Sequence, residues 1–146
     1  MTPFTTANEQ ATANALCQQF PALTAIKTGS EHARLDMVFT VGNQLRAVAE
    51  IKKRKFDMAR QKRYGSTLIE WSKYESGVNA SLALGVPFVV IVELTDATMF
   101  WKVTDSTGAT VMPIERTNKS AQVSEVNKSK ILKDCVLLDN KYGKEL

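Results

Sequence analysis

The chain has 146 residues, a formal net charge of +4, two cysteines and one histidine. This length predicts a single domain spanning residues 1–146, and the lone histidine, His32, excludes paired-histidine zinc sites. No apolar run reaches the ~18 residues of a membrane span, so we expect a cytoplasmic protein with reduced cysteines and no membrane contact.

The first element predicted along the chain is a helix. Thr6 and Glu9 have the spacing of a capping box, in which each side chain bonds a backbone N–H group at a helix start.

Two strands follow, at residues 34–41 and 44–52. In each, apolar residues alternate with others, which is the period of a half-buried β-strand. The dipeptide Gly42-Asn43 between them is a turn signal, so the two strands are predicted to form a hairpin.

The hydrophobic pattern also predicts the register of this hairpin. If the apolar sides share one core, Met37 lies opposite Ala49 and Asp36 lies opposite Glu50. That register requires a three-residue loop, Gly42 to Gln44. A two-residue loop would shift the pairing by one and put the two acids on opposite faces.

Opposed carboxylates repel each other unless a cation lies between them. Aspartate and glutamate oxygens suit hard divalent ions, so Asp36 and Glu50 predict a site for Mg²⁺ or Mn²⁺, with the backbone carbonyl of Ile51 as a further ligand. Lys52 projects from the same face. Beside a bound phosphate it would orient the attacking water, favour its deprotonation or neutralise charge in the transition state.

Positive charge is concentrated just after this motif. Residues 52–63 contain seven basic side chains and one acid. The segment predicts contacts with a DNA backbone, and a solvated surface is the alternative. Tyr64 suits either stacking on a base or packing at a helix start. Beyond Lys52, the predicted phosphate contacts are Lys53, Arg54, Lys55, Arg60, Lys62 and Arg63.

The next segments predict a scaffold. Ser66–Leu84 reads as a helix with Thr67 as its cap and Gly85 as its stop. The apolar run Val86–Leu94 is typical of a central strand buried on both faces, and Thr98–Val103 predicts its neighbour across a tight turn. A strand that follows a helix in this way makes the sheet mixed.

The last third carries weaker signals. Ala109–Glu115 suits a short edge strand, and the polar stretch Arg116–Lys130 suits a surface loop or a second phosphate contact. The apolar stretch Ile131–Leu138 is predicted to dock as a strand or a helical turn.

The Asp36, Glu50 and Lys52 constellation resembles the PD-(D/E)XK nuclease superfamily. The order helix, strand, strand, helix, strand, strand resembles that superfamily's core over about the first hundred residues. The chain departs from the pattern at Leu35, where the name-giving proline would fall. The resemblance implies an α/β, restriction-endonuclease-like fold with a mixed central sheet flanked by helices, and a metal-dependent nuclease. Junction resolvase, repair nuclease and restriction-like enzyme are all open.

The same resemblance implies two further site residues. An acid on the first helix completes the metal site in some branches, and Glu9 is the candidate, although capping is its other role. A polar residue on the helix after the lysine would be Glu70 or Lys73. Glu70 also fits a second capping box that begins at Thr67.

The resulting hypothesis is a Mg²⁺- or Mn²⁺-dependent DNA endonuclease whose catalytic residues are Asp36, Glu50, Lys52 and Lys73. A homodimer is compatible with it, because cutting two strands needs two sites, and a compact nuclease would suit a phage by analogy. Two alternatives are open: a catalytically inactive nuclease-fold domain that binds DNA, and a protein-interaction module with a basic rim.

Overall fold

The computed structural model describes residues 23–27, 37–123 and 130–146, and of residues 23–27, 118–123 and 130–133 it describes the backbone alone. The predicted first helix with Glu9, and the hairpin residue Asp36, lie outside these ranges.

Nine strands and two α-helices make up the described fold. The strands are β1 (Leu23–Lys27), β2 (Met37–Val41), β3 (Gln44–Lys53), β4 (Ser66–Glu70), β5 (Phe88–Glu93), β6 (Thr98–Lys102), β7 (Glu115–Val123), β8 (Lys130–Asp139) and β9 (Gly143–Glu145). The helices are α1 (Met58–Tyr64) and α2 (Trp71–Leu84), and Asn140–Tyr142 form a 3₁₀ turn. Neither described helix is long and apolar enough to cross a membrane.

Six strands form the central sheet, in the order β1-β2-β3-β5-β6-β9. β3 and β5 are parallel, and the other pairs are antiparallel, so the sheet is mixed, as predicted. Five of the six residues of β5 are buried, which confirms that this apolar run is an interior strand. The connection from β3 to β5 contains α1, β4 and α2.

The β2–β3 hairpin has the predicted register at its inner end and a different loop. Met37 pairs with Ala49, as predicted. The loop, however, has two residues, because Gly42 adopts φ +60° and closes a tight turn with Asn43. A register shift after Phe39 leaves Arg46 as the extra residue of a bulge. The bulge offsets the shorter turn, so the three-residue loop was wrong while the register beyond it holds.

The two faces of the central sheet bury separate hydrophobic clusters. On one face Val48 of β3 packs with Val90, Val92 and Trp101, and residues of α2 and the second sheet cover them. We call this the helical face. On the opposite face Ala49 and Ile51 pack with other buried residues, namely Met37, Phe39, Val89 and Ile91.

A second, antiparallel sheet has the order β4-β8-β7. It corrects three predictions. Ser66–Glu70 is a strand rather than the start of the helix, because Thr67 and Ile69 alternate into the core and pair with β8. Part of the predicted polar loop, Arg116–Lys130, forms β7. Of the predicted edge strand at Ala109–Glu115, only Thr110, which bridges to Thr104, and Glu115, the first residue of β7, pair with another strand. The stretch Ile131–Leu138 lies in β8, so its strand alternative is confirmed.

Buried hydrogen bonds attach this second sheet to α1 and to the central sheet. Gln61 of α1 is 1% exposed, and its Nε2 donates to Ser66 O at 3.1 Å and to Asn140 Oδ1 at 2.8 Å. Asn140 Nδ2 donates in return to Gln61 O at 2.8 Å. Trp101 Nε1 of β6 donates to Asp139 O at 2.9 Å. Gln61 and Asn140 thus provide each other with hydrogen-bond partners, and these bonds hold α1 against the second sheet.

Helix α2 approaches the central sheet through two small residues. A Cβ atom on Gly77 would lie 2.3 Å from Phe88 Cζ, so only glycine fits there. Ser81 Oγ donates to Val86 O at 2.6 Å and lies 2.8 Å from Thr104 Oγ1. These contacts fix the height of α2 over the helical face.

Candidate active site

Glu50 and Lys52 lie on the helical face of β3. Glu50 is 2% exposed, its backbone pairs with Val90 in the parallel ladder, and Lys52 pairs with Val92. Lys52 Nζ lies 3.2 Å from Glu50 Oε1, and the lysine side chain is 25% exposed. A carboxylate in the core is stable as an anion only beside a cation, and Lys52 is such a cation. The predicted shared face of these two residues is therefore confirmed by their geometry.

Their neighbour Lys53 points the other way, as strand alternation requires. Its side chain is 43% exposed, and Nζ lies 3.9 Å from Glu93 Oε2. Consecutive lysines on β3 thus occupy different environments, one beside a buried acid and one at the surface.

Helix α2 covers the face that bears Glu50. Glu70 is the last residue of β4 and precedes the helix without making a capping hydrogen bond, so the predicted capping box from Thr67 to Glu70 is wrong. Lys73 is half-buried and lies one turn before Gly77 and two turns before Ser81. Residues four apart share a helix face, so Lys73 belongs to the stripe that faces the sheet.

Two of the four predicted metal ligands, Glu50 and Ile51, lie among the described residues. Asp36 and Glu9 lie outside the described residues. Ile51 is buried and turns its side chain to the opposite face, among Met37 and Ile91. Within the residues that the structure describes, no group of three or more acidic, histidine or cysteine side chains could hold a metal ion. Glu50 is a suitable oxygen donor for a hard cation, and one carboxylate would need further ligands.

The six residues predicted to contact phosphate lie between Lys53, the last residue of β3, and Arg63, in the last turn of α1. Lys55, Lys62 and Arg63 are exposed. Arg54 differs from them, because it is half-buried and its Nη2 donates to Leu68 O at 3.3 Å. Burial lowers the pKa of the Arg54 guanidinium. Helix α1 begins at Asp57, whose Oδ1 accepts from Arg60 N, and carries Lys62 and Arg63 in its last turn.

Arg60 belongs to an aromatic cluster that sequence reasoning missed. Arg60 Nε donates to Tyr64 Oη at 2.8 Å, and the rings of Phe56 and Tyr64 meet edge to face with centroids 5.3 Å apart. The i, i+4 spacing of Arg60 and Tyr64 was a usable signal for this contact. Tyr64 is still 53% exposed.

Arg116 lies in the polar segment for which a second phosphate contact was one alternative. In the structure it contacts side chains of the protein itself. Its Nη2 lies 3.0 Å from Asp134 Oδ2, and its guanidinium stacks 4.0 Å from the ring centroid of Trp71. This stack ties β7 to the start of α2.

Comparisons with known proteins agree with this architecture. A family model described as "Phage putative PDDEXK endonuclease" matches residues 3–128. A search of curated proteins found no match. Among solved structures, a similar fold is that of Hjc, a Holliday junction resolvase from the archaeal hyperthermophile Archaeoglobus fulgidus, with a TM-score of 0.53 at 17% identity over 88% of each chain.

The structural likeness, at this identity, supports a restriction-endonuclease-like fold, and the family match covers most of the chain. The protein therefore belongs to the phage PDDEXK endonuclease family, a group of nucleases of the PD-(D/E)XK type.

Proposed function

We propose that this protein is a DNA endonuclease that depends on Mg²⁺ or Mn²⁺ and uses Glu50 and Lys52 at its catalytic centre. The observation that carries the proposal is the pairing of a buried carboxylate with a lysine two residues later on one strand, in a member of a nuclease family. A buried acid is costly to a fold, and a metal-binding role gives a reason for its place on β3.

Asp36 is the proposed second ligand. Met37 pairs with Ala49, and continuing that register by one residue predicts Asp36 opposite Glu50. The backbone carbonyl of Ile51 and the carboxylate of Glu9 are the proposed further ligands. The bound ion would polarise the scissile phosphate and lower the pKa of a coordinated water.

Lys73 is the proposed fourth catalytic residue. Ser81 bonds Val86 just before β5, and Gly77 lies against Phe88 at its start, so α2 runs antiparallel to β5. One helical turn back from Gly77, about 5.4 Å, corresponds to about two strand residues. That step leads from Phe88 to Val90, the ladder partner of Glu50. The antiparallel course of α2 over β5 therefore favours a position of Lys73 near the Glu50 carboxylate.

In this proposal different cationic side chains of the protein bind the scissile phosphate and its neighbours. Lys52, held by Glu50, would donate to a phosphate oxygen or orient the attacking water. The exposed cations Lys53, Lys55, Lys62 and Arg63 would bind neighbouring phosphates, with Arg54 and Arg60 beside them. A homodimer is part of the proposal because a double-strand cut needs two sites.

The test is cleavage of duplex, flap and four-way-junction DNA in Mg²⁺, in Mn²⁺ and in chelator. Wild-type protein should cleave at least one of these DNAs, and only with metal. Glu50→Gln, which keeps the volume of the side chain, should lower cleavage on the order of 10³-fold, because it removes a ligand charge. Circular dichroism and thermal melting check that the variant folds.

The other outcomes discriminate between functions. Full cleavage by a folded Glu50→Gln variant would remove Glu50 from the mechanism. Metal-independent retardation of DNA with no cleavage would instead favour the inactive DNA-binding domain. Sedimentation of the protein alone and with DNA tests the homodimer.

A further inference from the structure

Two surface grooves meet at Tyr64. The first runs between α1 and β4, has a volume of about 330 Å³ and includes Arg54, Phe56 and Leu68 in its lining. The second, also about 330 Å³, continues past Gly65 to Lys141 and Tyr142. Tyr64, Ser66 and Leu137 line both. We call these two adjoining depressions together the tyrosine groove.

Each half of the tyrosine groove presents an exposed tyrosine beside a cation. Tyr64 is 53% exposed and accepts a hydrogen bond from Arg60, whose guanidinium carbon lies 5.7 Å from the ring centroid. Tyr142 is 37% exposed, and Lys141 Nζ lies 5.1 Å from its ring centroid. A tyrosine at the surface presents an apolar ring and a polar tip, which suits it to contacts with a partner.

The ring of Tyr64 is preorganised. Phe56 supports it edge to face, and the bond to Arg60 holds its hydroxyl. Because these contacts limit its rotamers in advance, a planar group that stacks on the exposed part of the ring costs little side-chain entropy.

Charge indicates which planar group would bind. Helix α1 contains Arg60, Lys62 and Arg63 and no acid. Arg54 lines the first half of the groove, and its one side-chain hydrogen bond within the described part of the chain goes to Leu68 O. Its other guanidinium N–H groups make no further hydrogen bond within the described residues, and a phosphate is a suitable acceptor for such groups. The second half is less cationic, because Glu115 and Asp139 also line it.

We propose that the tyrosine groove binds an unpaired stretch of the DNA substrate, with one base stacked on Tyr64, a neighbouring base toward Tyr142 and a phosphate at Arg54. Aromatic platforms beside a basic track are the means by which proteins hold single strands. A continuous duplex hides the faces of its bases, so Tyr64 can stack only on a base that is unpaired. This inference rests on the proposed function and gives its substrate class: DNA with a single-stranded segment beside a duplex.

The test measures binding without cleavage, in chelator. Fluorescence anisotropy compares a fully paired duplex with the same duplex carrying a three-nucleotide gap, and 2-aminopurine in the gap reports stacking through quenching. Wild-type protein should prefer the gapped DNA and quench the probe. Tyr64→Ala should reduce that preference roughly 5- to 100-fold and remove the quenching, which is the effect that base stacking gives.

Matched variants keep the result interpretable. Tyr64→Phe retains the ring and should retain both the preference and the quenching. Leu84→Ala changes an exposed side chain outside the groove and should alter neither. Equal affinity of wild-type protein for gapped and paired DNA, or undiminished quenching by Tyr64→Ala, would overturn the proposal.

Failure of this proposal can be told apart from failure of the proposed function. If Glu50→Gln loses cleavage and wild-type protein shows no quenching, the tyrosine groove is excluded and the metal site stands. If Glu50→Gln cleaves normally while Tyr64→Ala loses its preference for gapped DNA, the groove stands and the assignment of Glu50 fails.

Discussion

The two sheets of this molecule present their charged side chains in opposite ways. The central sheet holds Glu50 in its interior, beside Lys52 and beneath α2. The second sheet, with α1 attached to it by Gln61 and Asn140, carries exposed cations and tyrosines at its margin. Chemistry on a phosphate requires fixed positions and little water, whereas binding a long polyanion requires many accessible charges.

The largest expected effect separates the two adjacent lysines of β3. If Lys52 has the catalytic role proposed for it, Lys52→Ala should lower kcat about 10²- to 10³-fold, because stabilisation of transition-state charge is lost. Lys53→Ala should mainly raise KM, because this lysine is exposed on the other face. Steady-state kinetics over a range of DNA concentrations measure both kcat and KM. Equal kcat values for the two variants would contradict the assignment, and Lys52→Arg controls for loss of the charge that balances Glu50.

Next in size is the close contact between α2 and the central sheet. Gly77→Ala should lower the free energy of unfolding by about 1–3 kcal/mol, because its Cβ would overlap the buried ring of Phe88. Urea denaturation measures this loss. In a Phe88→Leu background the same substitution should cost less, since the obstructing ring is gone. An undiminished cost there would mean that glycine is needed for another reason.

The attachment of α1 to the second sheet is tested at Asn140. Asn140→Ala should cost about 1–2 kcal/mol of unfolding free energy, because Gln61 loses both side-chain partners that Asn140 provides. Asn140→Asp keeps an acceptor for Gln61 Nε2 and should cost less. If both variants unfold like wild type, these bonds do not stabilise the junction.

A smaller effect is expected from the exposed cations of α1. Replacing Lys62 and Arg63 together with Ala should weaken DNA binding in low salt and reduce the salt slope by about one per lost phosphate contact. Lys144→Ala, on the edge strand β9, is the matched control. If the salt dependence of DNA binding has the same slope for the double variant and for Lys144→Ala, α1 does not contact the DNA backbone.

The smallest effect concerns the surface turn at residues 105–109, after β6. Thr107 donates its hydroxyl and its N–H group to Asp105 Oδ1, at 2.6 and 2.8 Å, and these bonds lower the pKa of Asp105 below its ordinary value of 3.8. The ionised form therefore stabilises the fold at neutral pH, and this contribution is lost as the pH falls through the lowered pKa. Asp105→Asn should melt below wild type at neutral pH, and the difference should shrink in acid. A constant difference would exclude this titration.

Patterns of local sequence were enough for the four inner strands of the central sheet, β2, β3, β5 and β6, whereas its edge strands β1 and β9 were not predicted. The run Val86–Leu94 is short, apolar and rich in β-branched residues, which favoured a strand buried on both faces. The inner register of the hairpin followed from alternation alone, because a slip of one residue would expose Met37 and Phe39. The loop escaped prediction, because a bulge at Arg46 and a shorter turn compensate each other.

The second sheet was not predictable from such patterns. Residues Ser66–Glu70 carry a capping-box sequence, yet pairing with β8 nearly seventy residues later makes them a strand. β7 is polar along its length and is a strand because β8 lies beside it. Non-local hydrogen bonding overrides local propensity wherever a partner strand is available.

The sequence by itself determined the mixed sheet, the inner register of the hairpin and the common face of Glu50 and Lys52, because strand alternation is a local property of the chain. Only the tertiary structure decided that Lys73 and Arg54 are half-buried and that Tyr64 and Tyr142 line one groove. These facts depend on distant segments brought together, and no local period records which segments will meet.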